Sequence, residues 1–70
     1  MQYKVIFSLK KIRINKKLTQ IRLAEISGVS QSYISEIETF LKSPTLETIE
    51  KLANALKVHP FELQEVEIEK

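Results

Sequence analysis

Along most of the chain, apolar residues recur at intervals of three and four, the spacing that places them on one side of an α-helix. Polar turns separate four predicted helices, over about residues 4–15, 19–27, 30–38 and 45–57. Pro60 is well placed as the first residue of a short fifth helix over residues 60–63. The pattern therefore predicts an all-α protein of five helices.

The apolar stripes of these helices define the expected core. They contain Val5, Leu9, Ile12, Ile21, Leu23, Ala24, Ile26, Ile34, Ile37, Leu46, Ile49, Leu52, Ala53 and Leu56. Phe40 and Leu41, in the loop before the fourth helix, are expected to pack back on this core. The tail at 65–70 is polar except for Val66 and Ile68, whose alternation fits either a short strand or a frayed end.

Residues 19–38 have the local signals of two short helices joined by a tight turn. Thr19 and Ser30 are good N-caps, because a hydroxyl accepts a hydrogen bond from one of the first unpaired backbone N–H groups of a helix. Gly28, the only glycine, suits the left-handed conformation that closes a helix. The result is a helix-turn-helix, whose second helix usually enters the DNA major groove. The alternative is a helical hairpin with no role on DNA.

Charge is unevenly distributed along the chain. Residues 1–22 contain seven basic and no acidic residues, whereas residues 23–70 contain all nine Glu and four Lys, giving +7 and −5. A positive field at one end of a small protein attracts a polyanion. Charge alone leaves a solvated basic face equally open, and the adjacent motif favours the polyanion.

Composition excludes several classes of protein. Seventy residues form at most one domain, and the absence of Cys removes disulfides and thiolate metal sites and suits a reducing cytosol. No apolar run exceeds three residues, so we expect neither a membrane span nor a signal peptide. With one His and no Asp, we expect no enzyme, metal or cofactor, and His59 should cap a helix or lie on the surface. We expect a cytoplasmic protein.

The cap at Thr19, the small Ala24, Gly28 and the spaced isoleucines together resemble the helix-turn-helix of the phage repressor and Cro family, also called the Xre-like regulators. The resemblance extends from LKKIR at 9–13 through SPTLETIEKLANALKV at 43–58. It covers most of the chain.

The resemblance implies a compact five-helix, lambda-repressor-like domain over residues 1–70, with a core at about 4–64 and a short polar tail at 65–70. It also implies a sequence-specific, double-stranded-DNA-binding transcriptional regulator, acting as a repressor and reading the major groove with the helix at about 30–38. No sensor domain follows, so we expect no small-molecule ligand.

The predicted recognition helix leaves a polar side free when Ile34 and Ile37 point inward. Its candidate base-contacting residues are Gln31, Ser32, Ser35 and Glu36. Gln suits adenine, Ser suits several base edges, and Glu accepts from the cytosine amino group. By resemblance, Gln31, Ser32 and Glu36 match the base-facing positions of the family. Glu36 is either a specificity element or a side chain turned away from the phosphates.

By resemblance, Gln20 contacts the DNA backbone from the start of the second helix, and the alternative is a plain capping side chain. Tyr33 either donates its hydroxyl to a phosphate or packs its ring on the fourth helix. The other candidate phosphate contacts are Lys10, Lys16, Lys17, Arg22, Lys42 and Ser43.

The resemblance also implies a shielded ion pair between Arg13 and Glu38. This chain departs from the family's sequence pattern at the end of the recognition helix. The family often has Glu-Asn-Gly there, where this chain has Glu38, Thr39 and Phe40. Without the glycine, the resemblance determines neither the geometry of the loop after this helix nor its phosphate contact.

We expect a homodimer on an inverted-repeat operator, because one recognition helix touches only a few base pairs. The expected dimer contacts are Phe61, Leu63, Val66 and Ile68. The alternative is that Phe61 and Leu63 close the monomer core. A competing function is a protein-interaction or antitoxin-like module that uses the same two residues.

Overall fold

The computed structural model describes residues 1–69 as four α-helices, one turn of 3-10 helix and two β-strands. In chain order these are β1 (Gln2–Phe7), α1 (Leu9–Asn15), α2 (Gln20–Ser27), α3 (Gln31–Glu38), α4 (Leu46–Leu56), the 3-10 helix (Pro60–Leu63) and β2 (Gln64–Glu69). The predicted helix-turn-helix and the helix after it are confirmed. The all-α, five-helix prediction is wrong, because the chain ends pair as a sheet and the fifth element is a single 3-10 turn.

The two chain ends form an antiparallel sheet where the apolar pattern predicted the start of a helix. Residues 2–7 pair with residues 64–69. Tyr, Val, Ile and Phe are frequent in the first of these segments, and such side chains favour strands because they pack well on a pleated surface. The first helix therefore begins only at Leu9. The strand alternative for the tail is right, and Lys70 lies outside the described residues.

The capping residues fix the boundaries of the helix-turn-helix. The hydroxyl of Thr19 accepts a hydrogen bond from the backbone N–H of Arg22 at 3.0 Å, and that of Ser30 accepts one from Tyr33 at 3.2 Å. Gly28 ends α2 in the left-handed conformation, with φ 77°. These local signals predicted both helices because each acts on its own backbone neighbours.

The core lies between α2, α3 and α4 and is completed by α1 and the 3-10 helix. Its buried apolar residues are Leu9, Leu23, Val29, Ile34, Ile37, Ile49, Leu52, Ala53, Leu56 and Leu63. Leu63 is only 2% exposed, so its predicted place in a dimer contact is wrong. The alternative for Leu63, that it closes the monomer core, is right. Phe61 is exposed, so the same alternative is wrong for Phe61.

Four residues that were expected in the core are exposed instead, namely Val5, Ile21, Ile26 and Leu46. Residues two apart on a helix lie about 200° apart around its axis, so Ile21 cannot share the side of α2 that carries the buried Leu23. Leu46 has the correct spacing to Ile49, but it opens α4, where burial begins at Thr48.

The loop after α3 turns away from the core at Phe40. The N–H of Leu41 donates to the carbonyl of Glu36 at 2.8 Å, and the N–H of Phe40 donates to that of Ile37 at 3.1 Å. This pair of bonds is a Schellman motif, which needs a left-handed residue after the helix, and Phe40 supplies it with φ 62°. Phe40 and Leu41 are therefore exposed, and the prediction that they pack on the core is wrong.

A buried ion pair joins α1 to the end of α3, as expected from the resemblance. The guanidinium of Arg13 donates from Nε to Glu38 Oε2 at 2.7 Å and from Nη2 to Glu38 Oε1 at 3.0 Å. Its Nη1 donates to the carbonyl of Leu18 at 2.8 Å. The two side chains are only 11% and 3% exposed. The pair therefore fixes α1, the turn after it and α3 relative to one another.

Two opposing effects act on the pKa of Glu38. Burial raises it, but hydrogen bonds from Arg13 and Gln20 and the charges of Arg13 and Lys10 lower it more, so the net pKa lies below the ordinary value. The hydrogen bond to Glu38 raises the pKa of Arg13. Both shifts favour the charged pair.

Replacing Glu38 by Gln is expected to lower the free energy of unfolding by about 3 kcal/mol, because it strands a buried guanidinium. Each kcal/mol lowers the Tm of a domain of this size by about 4–8 °C, so thermal unfolding measures the effect. The matched control is Glu47→Gln, which removes a carboxylate from an exposed pair with Lys51 at 3.3 Å. That change should alter the free energy by about 0.5 kcal/mol or less. An unchanged Tm for Glu38→Gln contradicts the buried pair.

The same ion pair predicts a pH dependence. Because the pKa of Glu38 is lower in the folded protein, the pair stabilises the fold above the ordinary pKa of Glu. This contribution is lost as pH falls through the lowered pKa. The difference in Tm between the wild type and Glu38→Gln should therefore narrow on acidification, and a difference that widens contradicts the sign of the shift.

Replacing Phe40 by Gly is expected to raise the free energy of unfolding by about 0.5–1 kcal/mol, because glycine adopts the left-handed conformation without strain. The ring is 67% exposed, so little packing is lost. Leu41→Gly is the matched control: Leu41 is also well exposed but has no positive φ, and the change should destabilise the protein. A lower Tm for Phe40→Gly shows that the ring contributes packing that outweighs the strain.

Candidate nucleic-acid interface

One side of α3 is polar and open to solvent. Gln31 and Ser32 are exposed and Ser35 and Glu36 are partly exposed, whereas Ile34 and Ile37 are buried. Positions i, i+1, i+4 and i+5 adjoin on a helix, so the four polar side chains form a continuous strip. The fold thus brings together the four residues that the sequence predicted for base contacts.

Glu36 is held by the loop that follows α3. Its Oε2 lies 3.1 Å from Nζ of Lys42. Its backbone carbonyl accepts from the N–H groups of Leu41 and Lys42 at 2.8 and 3.2 Å. This pairing was missed from the sequence, because a spacing of six residues across a loop has no local signature.

Gln20 has a different partner from the one that either sequence alternative predicted. Its Nε2 donates to Oε1 of Glu38 at 3.0 Å, so it joins the ion pair of Arg13. Gln20 opens α2, and its side-chain oxygen accepts no hydrogen bond among residues 1–69. The fold therefore fixes this side chain where α1, α2 and α3 meet and leaves its oxygen free.

Tyr33 lies at the edge of the core. The residue is partly buried against the core, and its hydroxyl donates to the carbonyl of Ser43 at 3.5 Å. A hydrogen bond from Tyr33 to a phosphate would have to replace this long one. The contact links the start of α3 to the loop before α4, which also carries Lys42.

The candidate phosphate contacts differ in how free their charges are. Lys10, Lys16 and Lys17 are exposed and form no ion pair within the part of the chain that the structure describes. Arg22 lies 3.7 Å from Glu25, one turn along α2. Lys17 closes the turn between α1 and α2 with φ 59°, so its side chain projects from a tight connection beside the start of α2.

Residues 1–69 contain neither a cluster suited to a metal ion nor a helix suited to a membrane. No group of three or more His, Cys or Glu side chains there is arranged to hold a metal ion. No helix in the same range is long and apolar enough to cross a bilayer. His59 caps the 3-10 helix, accepting from the N–H of Phe61 at 3.1 Å, while its own N–H donates to Glu62 at 3.0 Å. The prediction that His59 is a capping group is confirmed.

Several named proteins are similar in sequence to most of this chain. The immunity repressor protein of Bacillus phage phi105 is 44% identical over 50 residues, which cover 71% of this chain and 35% of that protein. The HTH-type transcriptional regulator PuuR of Escherichia coli (strain K12) is 44% identical over 57 residues, covering 81% and 29%. The chain thus spans about a third of the length of these curated relatives.

A solved structure and a family model agree with these relatives. The crystal structure of the restriction-modification controller protein C.AhdI from Aeromonas hydrophila has a TM-score of 0.76 and 40% sequence identity, covering 79% of this chain and 83% of that one. The helix-turn-helix family model matches residues 9–63. Because that match spans most of the chain, the protein belongs to the helix-turn-helix family of the Cro/C1 (Xre) type, a family of DNA-binding transcriptional regulators.

Proposed function

We propose that the chain binds double-stranded DNA in a sequence-specific manner and represses transcription, with α3 in the major groove. The observation that carries the proposal is the exposed polar strip on α3, formed by Gln31, Ser32, Ser35 and Glu36. Each of these side chains has hydrogen-bonding partners on base edges. Similarity to an immunity repressor favours repression over activation.

We assign the phosphate contacts to polar side chains around the start of α2. Gln20 opens this helix, where backbone N–H groups and the positive end of the dipole attract a phosphate. Further contacts come from Lys10, Lys16, Lys17, Arg22 and Ser43, all of which are exposed. The excess of basic residues in 1–22 steers the same polyanion towards this end of the chain.

We propose that residues 1–70 act as one DNA-binding domain. The lack of Cys suits the reducing environment of the cytoplasm.

We further propose that the protein acts as a homodimer joined through the sheet. Directly paired residues of antiparallel strands point to the same face, and the register pairs Tyr3 with Ile68 and Val5 with Val66. All four are more than half exposed, so one face of the sheet is apolar and uncovered. A lone two-stranded sheet is marginally stable in water, and a second copy on this face supplies the missing cover.

The opposite face of the sheet is unsuited to such a contact. It carries Lys4 and Ile6 opposite Glu67 and Glu65, and burying these charged side chains between two copies would cost their hydration. Phe61 is exposed and lies two residues before the buried Leu63, so it remains a candidate at the edge of the dimer. A two-fold axis through the apolar face requires an inverted-repeat operator with half-sites about 34 Å apart.

The competing function is a protein-interaction or antitoxin-like module. The burial of Leu63 leaves only Phe61 of the two residues that were assigned to such a contact. Titrating salt against binding to random duplex separates the two functions. Neutralisation of phosphates gives a steep negative log–log slope, whereas absence of duplex binding favours the interaction module.

Replacing Gln31 by Ala is expected to cost about 1–3 kcal/mol at one base pair of the operator, because it removes a base-edge contact. Preference at that base pair should relax, while binding to random duplex stays unchanged. Titration of a panel of operators, each with one base pair changed, measures both quantities. Equal losses on operator and random duplex contradict base reading by Gln31.

Replacing Lys17 by Ala should weaken binding to all duplexes alike, because phosphates carry no sequence information. The magnitude of the negative log–log salt slope should decrease by about 0.9. Lys57, in the turn after α4, is exposed and is not assigned to DNA, so Lys57→Ala is the matched control and should leave the slope unchanged. Gln20→Ala should resemble Lys17→Ala, but it also removes a hydrogen bond to Glu38, so its Tm must be compared with that of the wild type.

Replacing Val66 and Ile68 together by Gln should raise the dimer Kd at least about tenfold, because burial of each apolar side chain contributes about 1.5–3 kcal/mol. Replacing Glu65 and Glu67 by Gln introduces the same residues on the opposite face and should leave the dimer intact. Sedimentation at micromolar concentration measures both. A wild-type monomer that binds a half-site as tightly as a palindrome ends the dimer model.

A further inference from the structure

The pair formed by Lys42 and Glu36 lies where the base-reading strip meets the loop after α3. The Nζ–Oε2 distance is 3.1 Å, and the Lys42 and Glu36 side chains are 60% and 33% exposed. The left-handed Phe40 turns the loop so that the backbone N–H of Lys42 also donates to the carbonyl of Glu36. The side chain and the backbone of Lys42 therefore both contact Glu36, whose carboxylate lies on the polar strip of α3.

A carboxylate on a recognition helix meets two opposing effects. It accepts a hydrogen bond from the cytosine amino group, but it is repelled by the phosphates on either side of the groove. An ammonium group within 3.1 Å cancels this charge. In water such an exposed pair contributes little, but exclusion of water by the duplex strengthens the attraction.

The geometry leaves Glu36 able to bind Lys42 and a base together. Lys42 contacts Oε2, and Oε1 of Glu36 accepts no hydrogen bond from residues 1–69. A carboxylate has lone pairs for several donors, so Oε1 is available to a cytosine amino group while Oε2 stays with Lys42.

We propose that Lys42 is a positioning residue for base recognition: it orients and neutralises Glu36 so that Oε1 reads a cytosine, and it is not itself a phosphate anchor. The inference rests on the proposed binding of duplex DNA by α3. Lys42 is then not one of the phosphate contacts that were expected from the sequence. Of the two alternatives for Glu36, the inference favours the specificity element.

The test begins with sites selected by the wild type from a random duplex pool. Affinity is then measured on the best site and on variants with each base pair changed, for Glu36→Gln, Lys42→Ala and the double variant. Both single variants should lose about tenfold in preference for cytosine at the same base pair. The double variant should lose no more than either single one, and Lys42→Arg should restore most of the preference.

Salt dependence distinguishes this role from a phosphate contact. Lys42→Ala should leave the log–log salt slope unchanged, whereas Lys17→Ala should reduce it by about 0.9 and leave base preference intact. Lys51→Ala is the matched control, because it removes the cation from the exposed pair with Glu47 on α4 and should change neither quantity. Equal Tm values for the wild type and Lys42→Ala establish that folding is unaffected.

The outcomes separate the two proposals. If Lys42→Ala weakens all duplexes alike, flattens the salt slope and keeps the cytosine preference, Lys42 is a phosphate anchor and the inference is overturned. Additive effects of the two substitutions overturn it as well. If the wild type enriches no sequence and binds no duplex, the proposed function fails, and this inference fails with it.

Discussion

The carboxylate of Glu38 is the group on which the relative placement of the helices depends. It is buried at the end of α3, and a carboxylate there is stable only if cations and N–H groups surround it. Arg13 from α1 supplies two hydrogen bonds and Gln20 from α2 supplies a third. Three helices are thereby held at one point. The side chains that we propose for contacts with DNA lie mostly on these same helices, so their spacing follows from this network.

The loop after α3 shows how a second local constraint shapes the same surface. A Schellman motif ends the helix, and Phe40 adopts a left-handed conformation that is normally left to glycine. The backbone geometry expected of a glycine thus persists without one, because two hydrogen bonds to Glu36 and Ile37 fix it. The cost is local strain and an exposed ring. The consequence is that Lys42 returns to Glu36 across six residues.

Sequence alone predicted the elements that depend on near neighbours. Thr19, Gly28 and Ser30 act within a few residues, and their roles were right. The pairing of β1 with β2 joins opposite ends of the chain, and nothing in the local sequence of residues 2–7 indicates a partner strand at 64–69. Likewise, Ile21 and Leu23 are both apolar, and only the packing of α2 on α3 and α4 decides which is buried. The strip on α3 was predicted, whereas Gln20–Glu38 and Glu36–Lys42 required the fold.

Each of the two negative charges of α3 has a positively charged partner from another element. The helix carries two carboxylates, Glu36 and Glu38, and no cation. A helix of net charge −2 would be repelled from a groove between two rows of phosphates. Arg13 and Lys42, from elements on either side in the sequence, each bring one positive charge to one of these carboxylates. The helix α3 and its two partners are then neutral as a unit, and Lys10, Lys16 and Lys17, which form no ion pair within residues 1–69, keep the positive charge that we propose for phosphate contacts. The same arrangement thus occurs twice on α3, at the buried Glu38 and at Glu36 on the polar strip. Each carboxylate is accompanied by a cation from another element.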